Sequence, residues 1–188
     1  RSSLSNLSVL APNMNGGEQE SKQMIKTINA ICDSCAILSK ERIGALMVLE
    51  KETKLGDIIS TGTTIDSQPS AELIKNVFFP NSPLHDGALI IRGGRLHAAG
   101  CFLPLSDNYG ISRALGTRHR AALGMSEVSD AIVVVVSEET GCITKAKNGK
   151  LDIDITVNSL SAALYREFVA EEKENAADKK KLFRRTRK

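Results

Sequence analysis

Three short clusters gather the side chains of this sequence best suited to chemistry. His85-Asp86-Gly87-Ala88 sets an imidazole and a carboxylate beside a glycine, where a ligand can approach the backbone closely. The same residues also suit an Asx-type turn in which Asp86 only caps a loop. Gly116-Thr117-Arg118-His119-Arg120 places a hydroxyl, two guanidiniums and an imidazole at a predicted helix start. Free N–H groups and the helix dipole favour an anion there, and the planar fork of arginine fits phosphate oxygens. Pairing with surface acids is the plainer use of such arginines. Ser137-Glu138-Glu139-Thr140-Gly141 follows directly on an apolar run. Ligands collect at the carboxyl ends of strands in α/β sheets, and glutamates supply the oxygen ligands a divalent cation prefers. An ordinary polar loop has the same composition.

Other chemistries lack their residues. No Gly-x-Ser-x-Gly elbow and no Walker phosphate loop is present, which argues against a serine hydrolase or a P-loop NTPase. Cys32-Asp-Ser-Cys35 has redox or zinc spacing, but it recurs at helical intervals with Met24, Ile25, Ile28 and Ile31. No second cysteine pair completes a zinc site, so both cysteines read as small core residues. Four cysteines in 188 residues make no disulfide scaffold and point to a reducing setting.

The clusters need elements to hold them. Residues 1–17, rich in Ser, Asn and Gly, read as a flexible lead-in. A helix is predicted over 18–40, then a buried strand over 44–50 and a surface excursion over 51–62. The next helix is predicted over 67–79, with Pro69 in its first turn and Pro80 past its end. Strands over 87–92 and 95–102 join across Gly93-Gly94, a hairpin signal, as do 142–147 and 151–155 across Asn148-Gly149. A short helix is expected over 112–123, a central strand over 131–136 and an amphipathic closing helix over 157–174. Helices alternating with hairpins predict an α/β domain with a mixed sheet.

With 41% apolar and 25% charged residues the composition is that of one globular domain, and no apolar run approaches the length of a membrane span. The net charge of +3 is local. Residues 179–188 hold seven Lys and Arg, and without them 18 basic residues face 22 acidic ones. Residues 175–188 thus read as a solvated, disordered basic tail.

In this order and spacing the three clusters resemble the diadenylate cyclase domain, over roughly residues 20–165 and most closely the catalytic domain of the membrane-anchored class. Arg42-Ile43-Gly44-Ala45-Leu46 and Phe102-Leu103-Pro104-Leu105-Ser106 add to the likeness. The resemblance implies a single α/β domain over 18–174, with a central twisted mixed sheet flanked by helices. It implies a nucleotidyltransferase that condenses two ATP into cyclic di-AMP and two pyrophosphates, with Mg2+ or Mn2+ as cofactor. Asp86, Arg118, His119 and Arg120 would be catalytic. ATP would be bound by Ile65, Gly87, Ala88, Phe102, Leu103, Gly116, Thr117, Arg118, Ser137 and Glu138. Asp86, His85, Glu138 and Glu139 would serve the metal, and His119 would either hold its turn in shape or touch phosphate. Because one site holds one nucleotide, the resemblance also implies a face-to-face homodimer. It further implies regulatory protein partners and a cytoplasmic location, with membrane helices preceding this sequence in a longer protein. A non-catalytic nucleotide sensor built on the same pocket is the second reading, and an intact Asp86 speaks for the enzyme. A nucleic-acid-binding domain is the third. No nucleic-acid partner is expected, because the chain outside the tail is acidic and the whole chain holds only seven Phe and Tyr and no Trp.

Overall fold

The computed structural model describes residues 16–108 and 115–170. Helix α1 (Gly16–Glu41) opens the fold and turns Ile28, Ile31, Cys35 and Leu38 into a dry core. Both α1 cysteines are buried and unbridged, as their helical spacing predicts. The helix begins two residues earlier than expected, so Gly16 and Gly17 belong to it; residues 1–15 lie outside the described residues.

Seven strands follow: β1 (Ala45–Leu49), β2 (Thr63–Ser67), β3 (Ala88–Arg92), β4 (Arg95–Cys101), β5 (Ile132–Val136), β6 (Ile143–Lys147) and β7 (Lys150–Asp152). They form one sheet in the order β2-β4-β3-β1-β5-β6-β7. Among the described residues only β1 and β3 run parallel and the other pairings are antiparallel, so the sheet is mixed as expected. Helices α1, α3 (Ala71–Val77) and α5 (Val157–Tyr165) cover one face, and α4 (Thr117–Val128) covers the other with the single turn α2 (Gly56–Ile59) beside it. Strands β1 and β5 are thus buried on both faces, which is why their sequences are apolar without alternation. Both predicted hairpins form: Gly93-Gly94 and Asn148-Gly149 each carry two consecutive positive φ values, the mirror-type turn that matches strand twist.

Several boundaries differ from the sequence expectation. The helix predicted over 67–79 starts only at Ala71, capped by the Ser70 hydroxyl, which accepts from the Leu73 N–H at 3.1 Å. Residues 63–67 are instead β2, an edge strand whose only large apolar residue is Ile65, so no period-2 signal marks it. Within 51–62, α2 is too short to show periodicity. Helix α4 starts at Thr117 and runs to Val128, past the predicted end at 123; residues 109–114 lie outside the described residues. Strand β7 is confined to Lys150–Asp152, and α5 passes into a π-helical turn at Arg166–Ala170. Residues 171–188, with the basic tail, are likewise outside.

The two ends of the sheet differ. At the end where β1 and β3 finish, the buried Glu50 carboxylate takes three hydrogen bonds from Arg92, at 2.7–3.0 Å, and one from the Leu55 N–H at 2.9 Å. Glu167 from the π turn pairs with Lys51 at 2.9 Å and with Lys147, and Asp130 accepts from the Glu52 and Thr53 N–H groups. Charge clamps knit that end shut, and the polar clusters lie at the other.

Candidate functional site

Strand directions decide which clusters can meet. Because β1 and β3 are parallel, both begin at one end of the sheet; because β5 is antiparallel to β1, with Ala45 beside Val136, it finishes there. Strand β4 also finishes there, with Cys101 beside Ala88. His85-Asp86-Gly87, Gly44, Ser137-Glu138-Glu139 and Phe102-Leu103 therefore share one edge, although up to 95 positions separate them in sequence. Gly44 immediately precedes β1 and His85-Asp86-Gly87 immediately precedes β3, so both lie at the start of this parallel pair.

The start of α4 closes this edge from one side. Gly116, Thr117 and Arg118 line a shallow depression with Ser137, Glu138 and Glu139. Arg118 Nη1 donates to Glu138 Oε2 at 2.8 Å, and both tips press against Gly44, where a Cβ would lie 2.7 Å from Nη1 and 2.8 Å from Oε2. The pair is partly exposed, so it adds little to stability and much to the local charge pattern. The Ser137 hydroxyl accepts from the Glu139 and Thr140 N–H groups at 3.3 Å. Ser39 at the end of α1 donates to the Gly141 carbonyl at 2.6 Å, tying the acidic loop to the opposite layer.

On the other flank, Gly87 has φ +101°, and a Cβ there would lie 2.8 Å from the Cys101 carbonyl oxygen, so only glycine lets the chain turn here into β3. This leaves Asp86 exposed at the sheet edge. His85 is half-buried, its Nδ1 2.5 Å from the Ser82 carbonyl oxygen, which leaves Nε2 as its free nitrogen. Phe102 is 63% exposed, while its N–H donates to the Thr61 hydroxyl at 2.9 Å, so a fixed backbone carries a bare ring.

Three of the residues expected at the site face elsewhere, and a fourth, His119, lies at the inner side of the depression it helps to line. His119 is buried, its Nε2 3.2 Å from the Thr144 hydroxyl on β6; burial pushes its imidazole pKa down, only partly opposed by the charge of Glu139. That placement suits holding the turn, not touching phosphate. Arg120 projects from a different side of α4 than Arg118 and lies with Ser106, Asn108 and Leu115; its Nε has no hydrogen-bond partner among the described residues. Ala88 is fully buried, with its side chain in the core beneath α4. Ile65 packs on the α1-side core, in the opposite layer from α4, and forms no wall here. Sequence reading missed Gly44, Ser39 and Thr144 as supports. Gly44 alone left a trace, a glycine opening an apolar strand where no turn calls for one.

Donors for a divalent ion are oxygens from separate loops. Among the described residues no three His, Cys, Asp or Glu side chains converge into a cage. Asp86, just before β3, and Glu138 and Glu139, just after β5, are carboxylates at the same sheet edge, a donor type that Mg2+ takes alongside substrate phosphates.

Comparisons with known proteins bear on the domain as a whole. Residues 32–151 match the DAC family, described as DisA bacterial checkpoint controller nucleotide-binding. The chain is 49% identical over 143 residues to the cyclic di-AMP synthase CdaA of Bacillus subtilis, covering 76% of this chain and 52% of that protein. It is 45% identical over 152 residues to a diadenylate cyclase of Listeria monocytogenes, covering 81% and 55%. It thus spans about half the length of these curated relatives. Among solved structures, a double mutant of DacA from Staphylococcus aureus superposes with a TM-score of 0.75 at 49% identity, covering 81% of this chain and 99% of that one. A hypothetical membrane spanning protein from Bacillus cereus gives 0.65 at 42% identity, covering 68% and 62%.

Proposed function

The chain belongs to the DAC family, and from that premise we propose that it is the catalytic domain of a diadenylate cyclase, condensing two ATP into cyclic di-AMP and two pyrophosphates. The observation that carries the reading is the meeting of Thr117, Arg118 and Ser137 in one depression, at the sheet edge where the Asp86 loop leads into β3. In each half of the reaction a ribose 3′-oxygen bonds to the α-phosphorus of the other ATP as the α–β phosphoanhydride bond breaks and pyrophosphate leaves.

Such a transfer asks for charge neutralisation and a positioned nucleophile. Arg118, Thr117 and the N–H groups at the start of α4 take the phosphates, with Ser137 opposite. Asp86 readies the 3′-hydroxyl. The exposed Phe102 ring packs on adenine, and the backbone at Leu103 reads its edge. Gly87 lets the nucleotide lie close. Mg2+ or Mn2+ would be held by Asp86 with Glu138 or Glu139, and His85 Nε2 is a further donor. When bound, the ion neutralises phosphate charge and lowers the pKa of the hydroxyl. His119 supports α4 from beneath. Arg120 is assigned to the wall beside Ser106, and Ile65 to the core.

A two-fold product needs two nucleotides, and this edge of one protomer offers a single cluster. Two protomers facing edge to edge supply both. ATP as substrate places the domain in the cytoplasm. The relative described as membrane spanning supports an anchor elsewhere in a longer protein, since among the described residues no helix is long and apolar enough to cross a membrane.

The test is incubation with ATP and Mn2+ at a series of protein concentrations, with cyclic di-AMP followed by mass spectrometry. Product is expected, with specific activity falling as the protein is diluted. Tight ATP binding with no product at any concentration would make the domain a sensor and end the enzymatic reading.

A further inference from the structure

We propose that Gly44 is a positioning residue of the site: the space left by its missing side chain seats the Arg118–Glu138 pair and so fixes where the guanidinium meets the triphosphate. The inference rests on the reading of Arg118 as a phosphate ligand. No backbone demand explains this glycine, because Gly44 is not among the residues with positive φ, and any L-residue can adopt its conformation. What it lacks is room. A Cβ at position 44 would meet Arg118 Nη1 at 2.7 Å, Arg118 Cζ at 2.8 Å and Glu138 Oε2 at 2.8 Å, nearer than real Cβ contacts come.

The seat has a function because the pair cannot fix itself. Glu138 is 61% exposed at its side chain, and an ion pair this open to water does not hold two long side chains in one geometry. The flat floor offered by Gly44 does. Gly44 also lies just before β1, at the same edge from which the Asp86 loop leads into β3, so the floor belongs to the edge that carries the carboxylate. A methyl group there lifts Arg118 away from its place beside the start of α4.

Since the atoms in the way are the ends of two flexible side chains, the fold should accommodate Gly44→Ala while the site does not. The probe is 3′-deoxy-ATP with Mg2+, which lacks the attacking hydroxyl and binds without turning over. Its affinity is measured for the parent chain, Gly44→Ala, Arg118→Ala and the double variant, beside the melting temperature of each. Gly44→Ala is expected to melt with the parent and to bind about tenfold more weakly, as does Arg118→Ala. In the double variant the second change should add nothing, because both act through one guanidinium. Parental affinity in Gly44→Ala beside weakened Arg118→Ala overturns the seat alone. Parental affinity in Arg118→Ala overturns the phosphate reading and the seat with it. A lowered melting temperature, failure to fold, or additive losses would show Gly44 acting through the fold, and would also overturn the proposal.

Discussion

Asp86 is the residue on which turnover should depend most. It stands exposed at the sheet edge, just before the positive-φ turn at Gly87, and no cation pairs with it among the described residues. Asp86→Asn keeps shape and removes charge. Turnover is expected to fall by about two to four orders of magnitude, the range of a positioned acid or base. The affinity for 3′-deoxy-ATP should change far less, and equal losses in both measurements would make Asp86 a binding residue instead. Residue types made the clusters around Asp86, Arg118 and Glu138 legible in the sequence, because each gathers charge beside a glycine or a hydroxyl. Side-chain direction was not legible. Arg118 and Arg120 read alike in the chain, yet a two-residue step is about 200° around a helix, so they face different surroundings. The resemblance left His119 either holding its turn or touching phosphate, and it is Thr144, 25 positions away, that meets its ring in the interior.

Helix α4 is the element that makes these residues into a site, and its bed is backbone. A Cβ on Gly124 would run into the Pro104 carbonyl oxygen, the Ser106 nitrogen at 2.7 Å and the Leu105 carbonyl carbon at 2.8 Å. The Ser106 N–H already donates to the Arg120 carbonyl at 3.1 Å, and its hydroxyl to Glu127 at 2.8 Å. Backbone cannot swing aside as side-chain tips can. Gly124→Ala is therefore expected to cost about 1–3 kcal/mol in urea unfolding, where Gly44→Ala costs almost nothing. Of the elements, those with a buried face were readable: α1 by its helical period, β5 by its run of valines, and both hairpins by their turn residues. The misses, α2 and β2, bury almost nothing. Their shape is set by what they join, β2 by pairing with β4 and α2 by the path back to that edge, and neither leaves a periodic mark.

At the scale of the whole molecule, acid should weaken the fold over two separate pH ranges. Burial alone would raise the carboxyl pKa values of Glu50 and Glu167. The hydrogen bonds and charges of Arg92 and Lys54, and of Lys147 and Lys51, outweigh it and hold both below the ordinary 4.5. Asp130 is likewise lowered from 3.8, the N–H groups of Thr53 and Glu52 overcoming its burial. A lowered folded-state pKa favours the deprotonated form, so the stability each group contributes is complete above its ordinary value and lost as pH falls through the folded one. His119 obeys the same sign from a higher start, its ordinary 6.5 being lowered by burial. Urea unfolding followed by far-UV circular dichroism should give a flat stability above pH 7, a first decline below 6.5 and a steeper one below 4.5. A curve level down to pH 5 would remove His119 from the account. The clamps responsible lie at the closed end of the sheet, and so do the two hairpin turns. Gly93 protrudes there with no atom within 4 Å of a Cβ built on it. Strands of five residues run roughly 17 Å. A fluorophore carried on that tip would report the domain's unfolding from the end opposite the proposed site, and surface grafts there would leave the proposed pairing edge clear.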